Sequence, residues 1–426
     1  MQKLTFYKNV HFIGILGTSM RNLARFTMAF GICVTGSDIA YDGNLPSFLS
    51  EIKVKKRFCE TDFLDTQLVV FTGAISSDDP EITLCKKLGI ETVPRSQYLN
   101  ALSEQFNTII CVAGTHGKTT TCGMIGKVLK VANLSPAVHM GGEYESFFPF
   151  SREYFVTEAC EYKRSFLSLT PNVCLILNTE YDHPDCYSSE IEVKEAYLKF
   201  ARKTDARGVV ISDEPLSSGT FNVVIGRDVY PTNVINNDGY YTFTPVVNSQ
   251  ALSPITLRVP GYHNVKNALF CILTCKYLGV NYDYIKQGLE KFEGVHRRYT
   301  KLTKKCGEVI VDYAHHPTEI KAVIDTAKAG GRSVRVFFQP HTYSRTKAFF
   351  EGFVDALSTA DIVYVVEEYP ARETPDMGID ALTLYSEVKK YVDGGYLTLS
   401  EAKAKLEEPY DVTLVLGAGN ISQITD

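Results

Sequence analysis

The sequence predicts an α/β protein of three domains built on parallel sheets. Three observations predict it. Short β-branched runs alternate with helix-period segments along the chain, the pattern of parallel strands joined by right-handed crossovers. The chain has 426 residues, room for several domains at about 100–200 residues each. Two seams, near residue 105 (Ser103-Glu104-Gln105) and near residue 296 (Phe292 to Arg298), each precede a new strand-first unit. The expected domains are 1–105, 106–295 and 296–426.

Taken in order, Val10–Leu16 reads as the first strand, followed by Gly17-Thr18-Ser19 and a helix through about Phe30. Ile32–Thr35 returns as a strand ending in Gly36-Ser37-Asp38. Leu68–Thr72 closes the strands expected before the first seam. The middle unit offers Thr108–Val112, Tyr154–Thr157, Val173–Leu177 and Gly208–Ile211. Residues 220–257 are richer in β-branched residues and turns, and Asn237-Asp238-Gly239 is a hairpin signal, so a small antiparallel insertion is expected there. Glu308–Val311, Val334–Phe338, Ile362–Val366 and Val412–Leu416 supply the last sheet.

Composition narrows the function classes. Hydrophobic residues make up 45% and charged residues 22%, ordinary globular usage that excludes a disordered or fibrous chain. With 44 Lys+Arg against 49 Asp+Glu the formal charge is −5, which argues against a protein whose main task is gripping nucleic acid. No apolar run approaches the roughly 18 residues of a membrane span, and the N-terminus lacks a basic region followed by an apolar stretch. The expectation is a cytoplasmic chain, neither exported nor embedded. Eleven cysteines occur without a C-x-x-C pair, which reads mostly as buried thiols in a reducing compartment.

The strand from Thr108 runs into Gly114-Thr115-His116-Gly117-Lys118-Thr119-Thr120 and then a helical segment. This is a phosphate-loop pattern. Glycines let backbone N–H groups turn towards phosphate oxygens at a helix N-terminus. Lys118 supplies a mobile cation for the β- and γ-phosphates, and the Thr119 hydroxyl suits Mg²⁺. A magnesium ion needs further hard ligands. Glu158 and His183 both follow strands, where α/β sheets present their ligands. Farther on, Tyr262-His263-Asn264-Val265-Lys266-Asn267 places two asparagines three apart, able to read an adenine edge; Asn264 equally suits a helix cap.

Together, the loop, the Glu158…His183 spacing and Gly261-Tyr262-His263-Asn264-Val265-Lys266-Asn267-Ala268 resemble the Mur ligase family of ATP-dependent amide-forming enzymes. Asp312-Tyr313-Ala314-His315-His316-Pro317, Gln339-Pro340-His341-Thr342-Tyr343-Ser344-Arg345 and Gly417-Ala418-Gly419 resemble its members that join L-alanine to UDP-N-acetylmuramate. The resemblance implies a UDP-sugar-binding Rossmann-like domain, a central ATP-binding domain and a C-terminal Rossmann-like domain that receives the amino acid. It implies ATP and Mg²⁺ as cofactors, no nucleic acid or membrane partner, and a monomer or weak homodimer. Implied UDP-sugar contacts are Gly14, Gly17, Thr18, Ser19, Met20, Asp38, Thr72 and Ala74. Implied ATP contacts are the loop Gly114 to Thr120, His263, Asn264, Asn267 and Arg297. Thr119, Glu158 and His183 would hold metal, and His315, His316 and Arg345 the amino acid, with Arg345 reading its carboxylate. Lys118, His183 and Arg297 are the implied catalytic set, and Arg298 is expected in a salt bridge elsewhere.

The chain departs from the family pattern at Cys160-Glu161-Tyr162-Lys163, at Thr342, and at Gly17-Thr18-Ser19-Met20-Arg21. The alternatives are a family member that recycles murein tripeptide and, from another class, a P-loop ATPase switch. A nicotinamide-dependent oxidoreductase would leave the second phosphate loop without purpose. For His315-His316 the competing reading is a helix start, with one histidine capping ahead of Pro317 and Glu319.

Overall fold

A computed structural model describes residues 4–76, 78–142, 149–216, 221–371, 373–374 and 378–426. The N-terminal sheet is all parallel. Its spatial order is Lys53–Lys55, Cys33–Ser37, Asn9–Ile13, Leu68–Phe71 and Glu91–Pro94. The order reverses at the first strand, as in doubly wound folds. The central sheet is also parallel and runs Phe221–Val224, Val209–Ser212, Val173–Ile176, Thr108–Ala113, Tyr154–Glu158, Ala137–His139. The three innermost strands are almost wholly buried, which is why they read as continuous apolar runs.

An antiparallel insertion follows, with Val229–Asn237 paired to Tyr240–Val247 across a two-residue turn. Asp238 and Gly239 both take positive φ, 50° and 87°, the backbone that a tight hairpin of this twist demands. The strand Phe221–Val224 lies outside this insertion; it forms the parallel edge of the central sheet. The last sheet keeps the expected parallel core and adds one antiparallel edge strand. Thr300–Lys304 runs antiparallel to Gly307–Asp312, and Val412–Leu416, Val334–Phe338, Ile362–Val366 and Asp393–Leu397 continue in parallel.

The two domain junctions differ in chemistry. The first and central domains share one apolar core, in which Phe155 meets Phe26 at 5.8 Å and Phe106 at 4.9 Å between ring centroids. The last domain keeps cores of its own and meets the central one through the polar contacts described below. Such polar seams behave like transient interfaces, so the last domain is the one free to undock. Among the described residues no helix is long and apolar enough to cross a membrane. Seven cysteines are buried, whereas Cys33 and Cys59 are exposed.

Candidate functional site

Adjacent parallel strands end together, so the central sheet delivers three segments to one edge: the loop after Ala113, the stretch after Glu158 and the turn after Ile176. The loop leads into the helix Lys118–Val131, whose N-terminus has no side-chain cap and no acidic residue in its first turn. Those free amides and the helix dipole favour an anion. Gly117 sits at the cap with φ 84°, and a Cβ there would lie 2.7 Å from Asn267 Oδ1. Asn178 clamps the loop from the neighbouring strand. Its Oδ1 accepts from the His116 amide at 3.0 Å and its Nδ2 donates to the His116 carbonyl at 3.1 Å. The Thr115 hydroxyl donates to the Glu180 carbonyl at 2.6 Å.

Lys118 Nζ folds back on the loop, donating to the carbonyls of Gly114 (2.5 Å) and Thr115 (3.0 Å) and to Glu161 (3.0 and 3.1 Å). Burial works against its charge, but Glu161 more than compensates and raises it above the ordinary lysine range. His183, with φ 56°, places Nε2 3.4 Å from Glu161 Oε1. Glu161 is itself buried; burial would raise its pKa, yet Lys118 and His183 hold it low. Glu158 instead accepts from the Gly141 amide at 2.9 Å. Thus the carboxylate standing between Lys118 and His183 is Glu161, not Glu158. Sequence reasoning passed over Glu161 because it falls inside the departure Cys160–Lys163. Its place three residues beyond Glu158, past the same strand end, was the available signal.

A cavity of about 300 Å³ opens beside the loop, lined by Gly117, Thr119, Thr120, His263, Asn264 and Asn267, and on the far side by Arg298, Asp312 and Glu319. Asn264 and Asn267 lie on the first two turns of the helix His263–Tyr277. Asn267 Nδ2 donates to Asn264 Oδ1 at 2.9 Å, and Asn264 Nδ2 donates back to the Pro260 carbonyl at 2.7 Å, so Asn264 is not the cap. His263 stands at the cavity wall with much of its surface exposed. Burial pushes Asp312 up to about 6, although Arg298 and the Tyr299 and Ala314 amides counter it.

The two arginines exchange places relative to expectation. Arg297 Nη2 donates to the carbonyls of Gly417 (3.0 Å) and Gly419 (3.1 Å), while Arg298 lines the cavity. Both guanidinium groups flank the Tyr313 ring, at 5.1 and 4.9 Å from its centroid. The reason is local: Arg297 and Tyr299 have φ of 59° and 51°, so the segment is not the extended one that would alternate their side chains.

In the first domain, the Gly14 amide donates to the Ser37 carbonyl at 2.7 Å, and Gly17 precedes the helix Thr18–Ala29. Asp38 is held by this loop, accepting from the amides of Leu16 and Ala40, each at 3.0 Å. Met20 is buried in the core rather than presented to a ligand. Thr72 Oγ1 accepts weakly from the Ala74 amide at 3.4 Å. Ser19 reaches across the domain junction. Its Oγ lies 2.9 Å from His139 Nε2 and receives Arg95 Nη1 at 3.0 Å, while His139 Nδ1 contacts Thr157 Oγ1 at 3.0 Å. Burial lowers His139 to about 3, so it is a neutral link. No local pattern marks His139 or Arg95, since the contact is made only by the tertiary fold.

In the last domain, His316 caps the helix Pro317–Lys328, its Nδ1 accepting from the Thr318 amide at 3.4 Å. That is the helix-start reading. His315 is half-buried beside it, with Nδ1 3.0 Å from the Tyr313 carbonyl, and desolvation lowers its pKa to about 3. Arg345 is 5% exposed and pairs with Asp182 across the seam: Nε to Oδ1 at 3.0 Å and Nη2 to Oδ2 at 3.3 Å. His116 spans the same seam, Nδ1 to Glu319 Oε1 at 2.9 Å and Nε2 to Glu180 Oε2 at 3.1 Å. Burial would lower its pKa, but these two carboxylates raise it to about 9. Asp182 and Glu180 were missed because they are two of several polar residues in one turn.

Comparison with known proteins adds three family matches in chain order. Residues 9–107 match the Mur ligase family catalytic domain, 112–275 the Mur ligase middle domain, and 297–419 the Mur ligase glutamate ligase domain. A UDP-N-acetylmuramate–L-alanine ligase of Acetivibrio thermocellus is 36% identical over 98% of this chain and 95% of its own length. The protein of the same description from Agathobacter rectalis is 37% identical over 100% and 98%. Among solved structures, a UDP-N-acetylmuramate–alanine ligase of Thermotoga maritima superposes with TM-score 0.82 at 28% identity, covering 98% of this chain and 97% of that one. A murein peptide ligase of Psychrobacter arcticus shares the fold with TM-score 0.72 at 21% identity, over 98% and 97%.

Proposed function

The chain belongs to the Mur ligase family, and from that premise we propose that it joins L-alanine to the lactyl carboxylate of UDP-N-acetylmuramate, consuming ATP. The observation that carries the reading is the full-length likeness to ligases of that description, together with a phosphate loop facing a cavity that two domains complete. The murein peptide ligase is the weaker likeness, at 21% identity and lower TM-score.

The residues divide the work as follows. A carboxylate resists attack by an amine until one of its oxygens carries a phosphoryl group, giving an acyl phosphate with phosphate as the leaving group. The loop 114–120 and the uncapped helix behind it hold the ATP phosphates, and Asn264 and Asn267 hold the base. Lys118 neutralises the γ-phosphoryl as the lactyl oxygen attacks phosphorus and ADP departs, which is positioning and electrostatics rather than covalent catalysis. Arg298 is the cation that the last domain's side of the cavity presents to these phosphates, while Arg297 secures the 417–419 loop. The amino acid enters from the last domain, where Arg345, His315 and His341 converge, with Arg345 Nη1 3.3 Å from the His341 carbonyl. The amine then attacks the acyl carbon and phosphate leaves. Closure of the polar seam keeps water from the activated acid.

Family resemblance implies Mg²⁺, and the donor set fits a hard cation. Thr119 offers a hydroxyl, Glu158 and Glu161 carboxylates, and His183 a ring nitrogen, all at one sheet edge. Thr119, Glu158 and His183 would hold the ion, with Glu161 orienting His183. When bound, the ion withdraws charge from the transferring phosphoryl group. Ser19, Gly14, Gly17 and Thr18 face the sugar nucleotide.

The test is phosphate release with ATP, UDP-N-acetylmuramate and L-alanine, omitting each in turn. Release requires all three and is lost in Lys118→Ala. Release without either acceptor would instead mark a P-loop ATPase switch, and release with tripeptide but not L-alanine the recycling ligase.

A further inference from the structure

At the seam end of the nucleotide cavity, which His116 and Glu180 help to line, one cluster stands apart from the magnesium ligands: His116 from the phosphate loop, Glu180 from the turn after the central strand, and His316 from the last domain. One ligand atom from each lies within 4.8 Å of the others, the sole such group of histidine, cysteine and carboxylate side chains among the described residues. His116 Nε2 is 3.1 Å from Glu180 Oε2, and His316 Nδ1 is 3.8 Å from Glu180 Oε1. Ligands of a tetrahedral Zn²⁺ at about 2.0–2.1 Å from the metal lie roughly 3.4 Å apart. These spacings therefore suit one ion with small rotamer changes.

The surrounding contacts have the form of a supported metal site. His116 directs its other nitrogen, Nδ1, at Glu319 Oε1, 2.9 Å away, the carboxylate–histidine arrangement that orients a metal-bound imidazole. The His316 ring is wedged between Phe349 and His116, with centroids at 4.7 and 4.9 Å. Its Nδ1 has only the long 3.4 Å contact from the Thr318 amide, and its buried Nε2 has no hydrogen-bond partner. Glu180 and Thr318 also line a second, open cavity of about 660 Å³ on the outer side of the seam, which gives an ion a way in.

We propose that His116, Glu180 and His316 form a site for a borderline divalent transition ion such as Zn²⁺, distinct from the magnesium ligands and bridging the phosphate loop to the last domain. Two imidazoles and one carboxylate favour such an ion over Mg²⁺, which demands an octahedral oxygen shell. A fourth position is left for water. Because two ligands belong to the central domain and one to the last, the ion pins the seam that otherwise depends on ion pairs. The proposal does not depend on the ligase reading, and its test measures no turnover.

The experiment is titration of the full chain with Co²⁺ in excess Mg²⁺, followed by displacement with Zn²⁺. One equivalent of Co²⁺ should bind with ligand-field absorption of low coordination number, without thiolate-to-metal charge transfer, and one equivalent of Zn²⁺ should displace it. Glu180→Gln and His316→Gln should each weaken binding at least tenfold and abolish the rise in apparent Tm that Zn²⁺ gives the parent chain. Cys33→Ser and Cys59→Ser should change neither. If Glu180→Gln does not fold, His316→Gln and Glu319→Gln carry the comparison. No stoichiometric binding, thiolate charge transfer at the bound ion, or unchanged affinity in the folded variants would overturn the site and leave His116 as a metal-free ionic clasp.

Discussion

Removing the Asp182 charge should release the last domain from the central one. Asp182 and Arg345 form a two-pronged contact at 3.0 and 3.3 Å, with both side chains 6% exposed. Breaking a buried pair by deleting one partner costs about 3–5 kcal/mol, because the other charge stays buried and unpaired. Arg345 keeps the His341 carbonyl at 3.3 Å, so Asp182→Asn should fall at the lower end, about 3 kcal/mol, a shift of roughly a hundredfold in seam closure. The assay is a double-mutant cycle of Asp182→Asn and Arg345→Gln in urea-induced unfolding, with limited proteolysis of the 294–298 linker reporting domain opening. The pair should show a coupling energy of about 2 kcal/mol or more. The pH dependence follows from Asp182 itself. Burial would raise its pKa, but His183 and Arg345 hold it well below the usual carboxylate range. Its contribution is therefore present above the unfolded value of 3.8 and is lost as pH falls towards the lowered folded value. Single-variant costs that simply add, within about 0.5 kcal/mol, would refute the coupling.

Three further outcomes follow from the same geometry. Gly117→Ala must force a left-handed residue, costing roughly 1–2 kcal/mol, and press on Asn267 Oδ1 at 2.7 Å; the KM for ATP should rise about tenfold or more, read by initial rates. Glu158→Gln, which removes a carboxylate that would hold the ion, should raise the Mg²⁺ concentration needed for half-maximal rate more than Glu161→Gln, which acts through His183 and Lys118; the reverse order would make Glu161 the ligand. Burial raises Glu368 from 4.5 to about 7, with Thr346 Oγ1 opposing at 2.5 Å. Its stabilising contribution is full below pH 4.5 and is lost as pH rises through about 7; Glu368→Gln should flatten the apparent Tm across that window.

What the sequence disclosed and what it hid divide along physical lines. Inner strands such as Thr108–Ala113, buried from Ile109 on, and Val412–Leu416, buried throughout, left apolar runs that were readable. The strands it missed are the sheet edges: Lys53–Lys55, Glu91–Pro94, Ala137–His139, Thr300–Lys304 and Asp393–Leu397. Most of these are short or carry polar, half-exposed residues, as edges commonly do, and Phe221–Val224 was absorbed into the neighbouring insertion for lack of any directional cue. Within the site, the loop residues and the asparagine pair follow each other in the chain, so spacing alone exposed them. Glu161, Asn178, Asp182 and His139 act across segments 18 to 163 residues apart, through contacts to Lys118, His116, Arg345 and Thr157. No local pattern encodes such pairings. The arginine exchange had a different origin, the positive φ of Arg297 and Tyr299, which residue types do not announce.

The central claim is that the lactyl acid is activated by phosphoryl transfer before the amine attacks. It is tested most directly by supplying UDP-N-acetylmuramate labelled with ¹⁸O in the lactyl carboxylate, together with ATP and L-alanine, and analysing the released phosphate by mass spectrometry. One labelled oxygen should pass into each phosphate, because the bond that forms to phosphorus is the carboxylate's own and the carbon–oxygen bond is the one that breaks. Amide product accompanied by unlabelled phosphate would contradict the account.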